Sequence, residues 1–424
     1  MEGRRVASTI SWLDHSEEDQ RRVREMLRLF EDTDTVDDLG IGTVRDAISN
    51  SLFPGTSVVQ TRARYFLFVP WLFRRAEQRH PQQLVAKTTD MERNLIEALS
   101  AGGDTDGLIG VQRGKDVRTL PSAIFWGGLI RYGIFLSPSL TIRQYGRHVA
   151  RGLAGLDSED EIGDRIPSFW QRDIPDPPPD LFRFKFATFE LTRDEAEWLC
   201  ERIISSDRPD QPASLLTAYI RDLRRGEPLV VADAMWDAAL PSGTPQSIAE
   251  LVRHAQQFSC ATQGAALLYN LMLAEERLDT DLEPTDATSV ENYRRRLDEW
   301  IATATRIRLA DWAARLNDFW DCVLDNRVHI PCETRVFLDG WANLIVEDLH
   351  HLATSPDARD LIRSREIEHK RGQARLANKK RLREWRGDAG TRPLVFRWPQ
   401  VRRMLTDIAD GLNEPQSENE HAVT

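Results

Sequence analysis

Cysteine is scarce in this sequence, with four residues among 424. Small secreted domains that depend on disulfides carry cysteine far more densely, so a disulfide framework is excluded. Long apolar runs are also missing, since no stretch approaches the roughly 20 apolar residues that a membrane-spanning helix needs. The first ten residues lack the apolar run of a secretory signal peptide. We therefore expect a cytoplasmic protein without a membrane partner.

Signatures of catalysis are missing too. The sequence has no HExxH zinc motif, no GxSxG nucleophile turn and no pair of phospholipase-like histidine and lysine motifs. The segment from Gly110 to Asp116 resembles a phosphate-binding loop, but its glycines are one residue too close. Asp116 also replaces the Ser or Thr that would hold Mg²⁺. We predict no cofactor, and we favour a protein that is not an enzyme.

Three groups of metal-ligating residue types occur, and each is a weak candidate. The acidic loop after residue 30 lacks the order of ligand oxygens and glycine that a calcium loop needs. A second acidic pair lies between glycines, and a Cys/His group has neither a CxxC pair nor a fourth ligand for zinc. We therefore predict no metal site. The members are Asp32, Asp34, Asp37 and Asp38; Asp104 and Asp106; and Cys322, His329 and Cys332.

Apolar residues are plentiful and mostly follow a helical period. The composition is 41% hydrophobic with 12 Trp, which is enough for a substantial core. The run from Tyr65 to Phe73 is almost wholly apolar and predicts a buried helix kinked by Pro70. A nucleic-acid platform built from its aromatic rings is the alternative interpretation. Further helices are predicted over 17–30, 43–52, 121–132, 244–277, 289–326, 334–352 and 400–412.

Two lobes and a small β element complete the predicted fold, which is mostly α and multi-helical. Phe182, Phe184 and Phe186 alternate with basic residues, the period of a half-buried strand. Thr192 and Glu195 then match a capping box. A proline-rich linker over 156–180 is predicted to separate an N-terminal helical lobe (1–155) from a C-terminal helical lobe (181–412), and residues 413–424 are predicted to be disordered.

Positive charge is concentrated near the C-terminus of an otherwise acidic chain. The net charge is −11, yet residues 363–403 contain 14 Lys or Arg against 4 Asp or Glu, a net of +10 that leaves −21 elsewhere. A helix over 372–386 would gather its cations on one face, with Leu382 and Trp385 packing on another. That face could bind nucleic-acid phosphates, or it could dock on acidic surface of this chain or of a partner protein. The cations are Arg375, Lys379, Arg383 and Arg386.

Several motifs stand out along the chain: the GTVRDA, QTRARYFLFVPW and LPSAIFW stretches that begin at Gly42, Gln60 and Leu120, and ARLAN from Ala374. Together they resemble an uncharacterised bacterial family known as domain of unknown function number 6361. The resemblance covers nearly the whole chain and supplies no catalytic residue. It implies companions among helicases and phospholipase-like nucleases in anti-phage gene clusters. Within these motifs, Arg62 and Arg64 could be structural anchors or a phosphate clamp.

These observations favour a non-enzymatic, DNA-engaging or scaffolding subunit of a bacterial anti-phage defence complex, with a helicase or nuclease among its partners. Arg375, Lys379, Arg383 and Arg386 would contact phosphates, together with Arg62 and Arg64 if these form a clamp. One alternative is a metal-dependent nuclease that uses dispersed acidic residues. Another is a protein-interaction adaptor whose basic helix docks on an acidic protein surface. The nuclease residues would be Asp32, Asp34, Asp104 and Asp106.

Overall fold

The computed structural model describes residues 37–415 except 104, 112, 155–167, 209–210, 280–285 and 325–328. Within these residues the chain forms fifteen α-helices and no β-strand. In chain order they are α1 (Gly42–Leu52), α2 (Tyr65–Arg79), α3 (Leu84–Ala101), α4 (Pro121–Arg131), α5 (Ile142–Ala154), α6 (Arg193–Ser205), α7 (Leu215–Arg224), α8 (Gln246–Asp279), α9 (Asp286–Arg306), α10 (Leu309–Ala313), α11 (Leu316–Leu324), α12 (Cys332–Asp348), α13 (Pro356–Lys370), α14 (Lys379–Arg383) and α15 (Trp398–Asn413).

Most of the predicted helices are present. Every residue from Tyr65 to Phe73 in α2 is buried, with Pro70 inside the helix, which confirms a core element. The capping box at α6 is confirmed, because the Glu195 amide donates to the Thr192 hydroxyl and the Thr192 amide donates to the Glu195 carboxylate. The helix predicted over 17–30 and most of the tail predicted to be disordered, residues 416–424, lie outside the described residues.

The helical pattern over 289–326 is divided among three helices. Arg308 has φ 57°, in the left-handed region, and this backbone turn separates α9 from α10. The aromatic stripe is nonetheless buried as its spacing predicts, with Trp300, Phe319 and Trp320 in the core. Trp300 also donates its indole N–H to the Cys260 carbonyl of α8 at 2.8 Å, which fixes α9 against α8.

The predicted strand over 182–186 is wrong. Leu181–Arg183 form a short 3-10 helix, and Phe184 follows with φ 52°, so the backbone is not extended. Phe182 packs beneath the Arg75 guanidinium of α2, whereas Phe186 is 59% exposed. Alternation alone does not make a strand where no neighbour supplies hydrogen bonds. In the described chain the β pairing is a single isolated bridge between Phe135 and Trp170.

The predicted division into two lobes is not confirmed. One hydrophobic core includes residues from both sides of the proline-rich segment. The Trp71 indole donates to the Pro175 carbonyl of the proline-rich segment at 2.6 Å, and Arg397 of the C-terminal part donates to the Thr56 carbonyl of the N-terminal part at 2.7 Å. Polar contacts as well as apolar packing therefore join the two predicted lobes.

Helix α8 is the support for the region in which positive charge is concentrated. This 34-residue helix packs along α9 and also contacts α13 and α14. Asn270, in the middle of α8, is fully buried and donates its amide to the Ala389 carbonyl at 2.9 Å. The chain between α13 and α15 is thereby fastened to a rigid element.

Candidate nucleic-acid interface

We define the basic segment as residues 371–386, which contain seven Lys or Arg and one Glu. The single helix predicted over this segment is wrong: a 3-10 helix spans Arg371–Gln373, and α14 covers only Lys379–Arg383. Arg371 has φ 52°, which ends α13. The Glu366 carboxylate then accepts from the amides of Arg375 and Leu376, which therefore do not join a helical ladder.

Asn378 begins the short helix α14. Its side-chain oxygen accepts from the amides of Lys380 and Arg381 at 3.0 and 3.4 Å, the arrangement of an N-cap. Lys379 and Arg383 therefore still lie one helical turn apart, as in the predicted helix. Arg386 follows the end of the helix.

The apolar side of the basic segment is buried, as its sequence predicts. Leu382 and Trp385 are each 3% exposed. The Trp385 indole donates to the Asn270 side chain at 3.1 Å, and Arg277 donates to the Trp385 carbonyl at 3.1 Å. Because this side is held by both packing and hydrogen bonds, the opposite side is presented to solvent in a fixed orientation.

Five cations of the basic segment are exposed. Three of them, Lys379, Arg383 and Arg386, were predicted as phosphate contacts, and the other two are Arg371 and Lys380 of the same segment. Within the described chain none of the five forms an ion pair, whereas Arg381 pairs with Glu384 at 2.6 Å. An unpaired cluster of this kind is a favourable site for a polyanion. We call these five residues the exposed cation cluster.

Arg375 occupies a different environment from the cation cluster. Its guanidinium donates to the Asp38 carboxylate at 2.9 Å and to the Tyr269 hydroxyl at 3.3 Å. Lys370 also pairs with Asp38, which is 5% exposed. Such contacts are expected under the alternative hypothesis, in which the cations of the basic segment dock on acidic groups of the chain itself. A local charge pattern does not identify this partner, because Asp38 lies 337 residues from Arg375.

The charges around Asp38 perturb one another. Burial and the neighbouring Arg375 guanidinium lower the pKa of Lys370, while the Asp37 carboxylate opposes that shift. Burial and the fully buried Glu366 raise the pKa of the Tyr269 hydroxyl, which donates to Glu366. This network fixes the start of the basic segment to the residues that precede α1.

Arg62 and Arg64 are tied into the fold. Arg64 is 5% exposed and pairs with Glu195 at 2.8 Å. Arg62 pairs with Asp407 at 3.0 Å, and the same carboxylate accepts from the Ala63 amide at 2.8 Å. Burial raises the pKa of Asp407, although its hydrogen bonds from Arg62 favour the charged form. Since these are the contacts of structural anchors, we leave both arginines out of the interface.

The candidate metal-binding residues do not come together in the described chain. Asp32, Asp34 and Asp104 lie outside the described residues. Asp106 pairs with Arg403 at 2.7 Å, and that hydrogen bond lowers the pKa of Asp106. Asp37 accepts from the amides that begin α1. Among the residues that the structure describes, no three His, Cys, Asp or Glu side chains are placed to hold a metal ion, and this includes Cys322, His329 and Cys332.

The described chain also contains no helix long and apolar enough to cross a bilayer. The phosphate-loop-like segment ends in a 3-10 helix at Gly114–Asp116, and no strand precedes it in the described residues. A phosphate-binding loop needs a strand before it and a helix after it, with its amides gathered at that helix. The segment therefore lacks the context that would support nucleotide binding.

Comparison with known proteins places the chain in one family. No match is found among the curated proteins or among the solved structures. Residues 7–412 match a family described as "Family of unknown function (DUF6361)". That match covers α1 to α14 completely and nearly all of α15. The chain therefore belongs to the DUF6361 family, the family that its motifs resemble.

Proposed function

We propose that this protein binds nucleic acid through the phosphate backbone, without sequence preference, as a binding subunit rather than an enzyme. The observation that carries the proposal is the exposed cation cluster, which stays unpaired within the described part of a chain whose net charge is −11. A protein of that charge repels polyanions overall, so attraction has to be local. The cluster provides it on a segment whose other side is buried.

Binding by such a cluster is expected to depend steeply on salt. Each phosphate that a cation neutralises releases counterions, and the slope of log K against log salt changes by about 0.9 for each contact on duplex DNA. Removal of three contacts therefore lowers the slope by about 3 and weakens binding at low salt. Contacts to phosphates carry no sequence information, so affinity is expected to vary little with sequence.

The test compares the intact protein with the Lys379→Ala, Arg383→Ala, Arg386→Ala variant by fluorescence anisotropy on a labelled DNA duplex across a salt series. A matched control removes three exposed cations that are paired on other surfaces: Arg193→Ala, Arg295→Ala, Arg308→Ala. We expect the control to bind like the intact protein and the cluster variant to lose both affinity and slope. Equal binding by both variants, or no binding by the intact protein at low salt, would overturn the proposal.

The wider role as a subunit of a bacterial anti-phage defence complex is a proposal that rests on the family resemblance. It predicts that a helicase or nuclease co-purifies with the protein from its own host. If the partner instead contacts the exposed cation cluster directly, the Lys379→Ala, Arg383→Ala, Arg386→Ala variant will lose the partner even after nuclease treatment. That result would support the adaptor alternative over nucleic-acid binding.

A further inference from the structure

Helix α5 carries a second concentration of positive charge, which no acidic residue of the helix itself balances. Its thirteen residues, IRQYGRHVARGLA, include three Arg and one His but no Asp or Glu. The arginines are Arg143, Arg147 and Arg151, spaced four residues apart. This helix lies outside the C-terminal region in which the sequence concentrates its basic residues.

The fold fixes which side of α5 faces solvent. Tyr145 and Val149 are buried, and the Tyr145 hydroxyl donates to Glu77 at 2.8 Å and accepts from the Trp170 indole at 2.9 Å. Helix α5 rests on α3 and on the 3-10 helix Pro81–Gln83, where Gln82 donates to the Ala150 carbonyl at 3.2 Å. These contacts prevent rotation, so the arginine side stays outward.

The three arginines form one regular row, which we call the arginine ridge. At about 100° and 1.5 Å per residue, positions four apart differ by about 40° around the helix and about 6 Å along it. The ridge is therefore about 12 Å long and about 80° wide. All three side chains are exposed, and none of them forms an ion pair with the described part of the chain.

The ridge is unfavourable for α5 itself. Like charges four residues apart destabilise a helix by about 0.2–0.5 kcal/mol for each pair, and no acidic residue of α5 offsets them. Stability of the fold therefore does not account for the row. An anionic ligand that lies along it would.

We propose that the arginine ridge binds a second stretch of phosphodiester backbone. This inference rests on the proposed function and adds a contact surface to it. Guanidinium groups hold phosphate oxygens through two parallel hydrogen bonds, and a regularly spaced row of them suits a ligand with regularly repeated phosphates. A protein partner would need an apolar or aromatic anchor, and none of the residues of α5 whose exposure is described is a large exposed hydrophobic.

The ridge and the exposed cation cluster are built on different helices. Helix α5 packs on α3, whereas α14 packs on α8. Each surface can therefore be altered while the other keeps its support. Five acidic residues between positions 157 and 164 follow α5 in sequence, outside the described residues.

The experiment uses the full chain and four proteins: the intact protein, the Arg143→Ala, Arg147→Ala, Arg151→Ala ridge variant, the Lys379→Ala, Arg383→Ala, Arg386→Ala cluster variant, and the three-arginine control. Alanine favours the helix, so the ridge variant is expected to fold, and circular dichroism verifies this. Binding to labelled duplex DNA is measured across a salt series. We expect the ridge variant to bind about tenfold or more weakly than the control at low salt, with a smaller slope.

The outcomes separate the two proposals. If the cluster variant loses affinity while the ridge variant equals the control, the function stands and the ridge proposal is overturned. If only the ridge variant loses affinity, the ridge is the nucleic-acid surface and the cluster proposal fails. Absence of binding by the intact protein overturns both. If the ridge binds a labelled poly-glutamate peptide and the protein does not bind DNA, the ridge is assigned to an acidic protein partner.

Discussion

Glu92 shows how a single buried carboxyl can control stability. It lies in α3 at 1% exposure, and its two oxygens accept from the Ser122 amide at 2.6 Å and the Ser122 hydroxyl at 3.0 Å. Burial raises the pKa of Glu92 to about 7, although those hydrogen bonds act in the opposite direction. The folded protein therefore keeps a proton on this side chain that the unfolded chain releases near pH 4.5.

The sign of the resulting pH dependence follows from proton binding. Between the two pKa values the folded state binds more protons, so stability falls as pH rises and the loss is complete above about pH 7. Glu92→Gln removes the ionisation. Between pH 5 and pH 8 we expect the free energy of unfolding to fall by about 2 kcal/mol more in the wild type than in Glu92→Gln.

Urea unfolding at the two pH values measures this difference. Glu97→Gln is the matched control, since Glu97 is exposed on the same helix. An equal change for both variants would show that Glu92 ionises in the folded protein as it does in the unfolded chain.

In the basic segment the sequence predicted the burial and exposure of some side chains correctly, but not the environment of others. Burial of Leu382 and Trp385 was predicted, because an apolar side chain is buried whatever helix carries it. Exposure of Lys379 and Arg383 followed from the same pattern. The environment of Arg375 did not, since its acidic partner is distant in sequence and a local charge pattern carries no information about such a pair. The arginine ridge lies outside residues 363–403, so the charge concentration in that region does not predict it.

Helices were predicted well where burial and capping agreed. The capping box at Thr192 combines a terminal signal with the apolar face of α6. The failures lie where one signal stood alone. The alternation around Phe184 lacked a neighbouring strand, and the cationic face over 372–386 lacked any terminal signal before Asn378. In the cationic segment the Glu366 carboxylate accepts hydrogen bonds from two backbone amides, which therefore do not form the predicted helix.

Two adjacent glycines in α4 make a matched pair. A Cβ on Gly128 would lie 2.6 Å from the Gly55 carbonyl oxygen and 2.7 Å from the Phe66 ring, whereas a Cβ on Gly127 meets nothing within 4 Å. Gly128→Ala is expected to destabilise the protein by about 1–3 kcal/mol through overpacking. Gly127→Ala is expected to stabilise it by about 0.5–1 kcal/mol through helix propensity.

Thermal and urea unfolding of the two variants test the packing of α4 on the turn at Gly55. Both substitutions are Gly→Ala in one helix, so helix propensity contributes equally to the two variants. The difference between their stabilities therefore measures packing. Similar stability of the two variants would mean that α4 does not approach Gly55 as closely as the structure shows.

The whole molecule is expected to unfold in one cooperative step. Arg64 and Glu195, which lie on opposite sides of the proline-rich segment, form a buried ion pair, and loss of one partner from such a pair costs about 3–5 kcal/mol. Neither predicted lobe therefore keeps its stability without the other. Far-ultraviolet circular dichroism and tryptophan fluorescence should give coincident transitions. Two separate transitions would instead support the division predicted from the sequence.

The bond between Ala63 and Asp407 also governs how the protein is made. The Ala63 amide finds its carboxylate partner 344 residues later in the chain. At roughly 5–20 residues per second, a ribosome needs roughly 17–70 s to cover that distance. For that interval the nascent N-terminal helices lack α15, which later covers α6 and α7. We therefore expect a newly emerging chain to depend on chaperones until α15 leaves the ribosome.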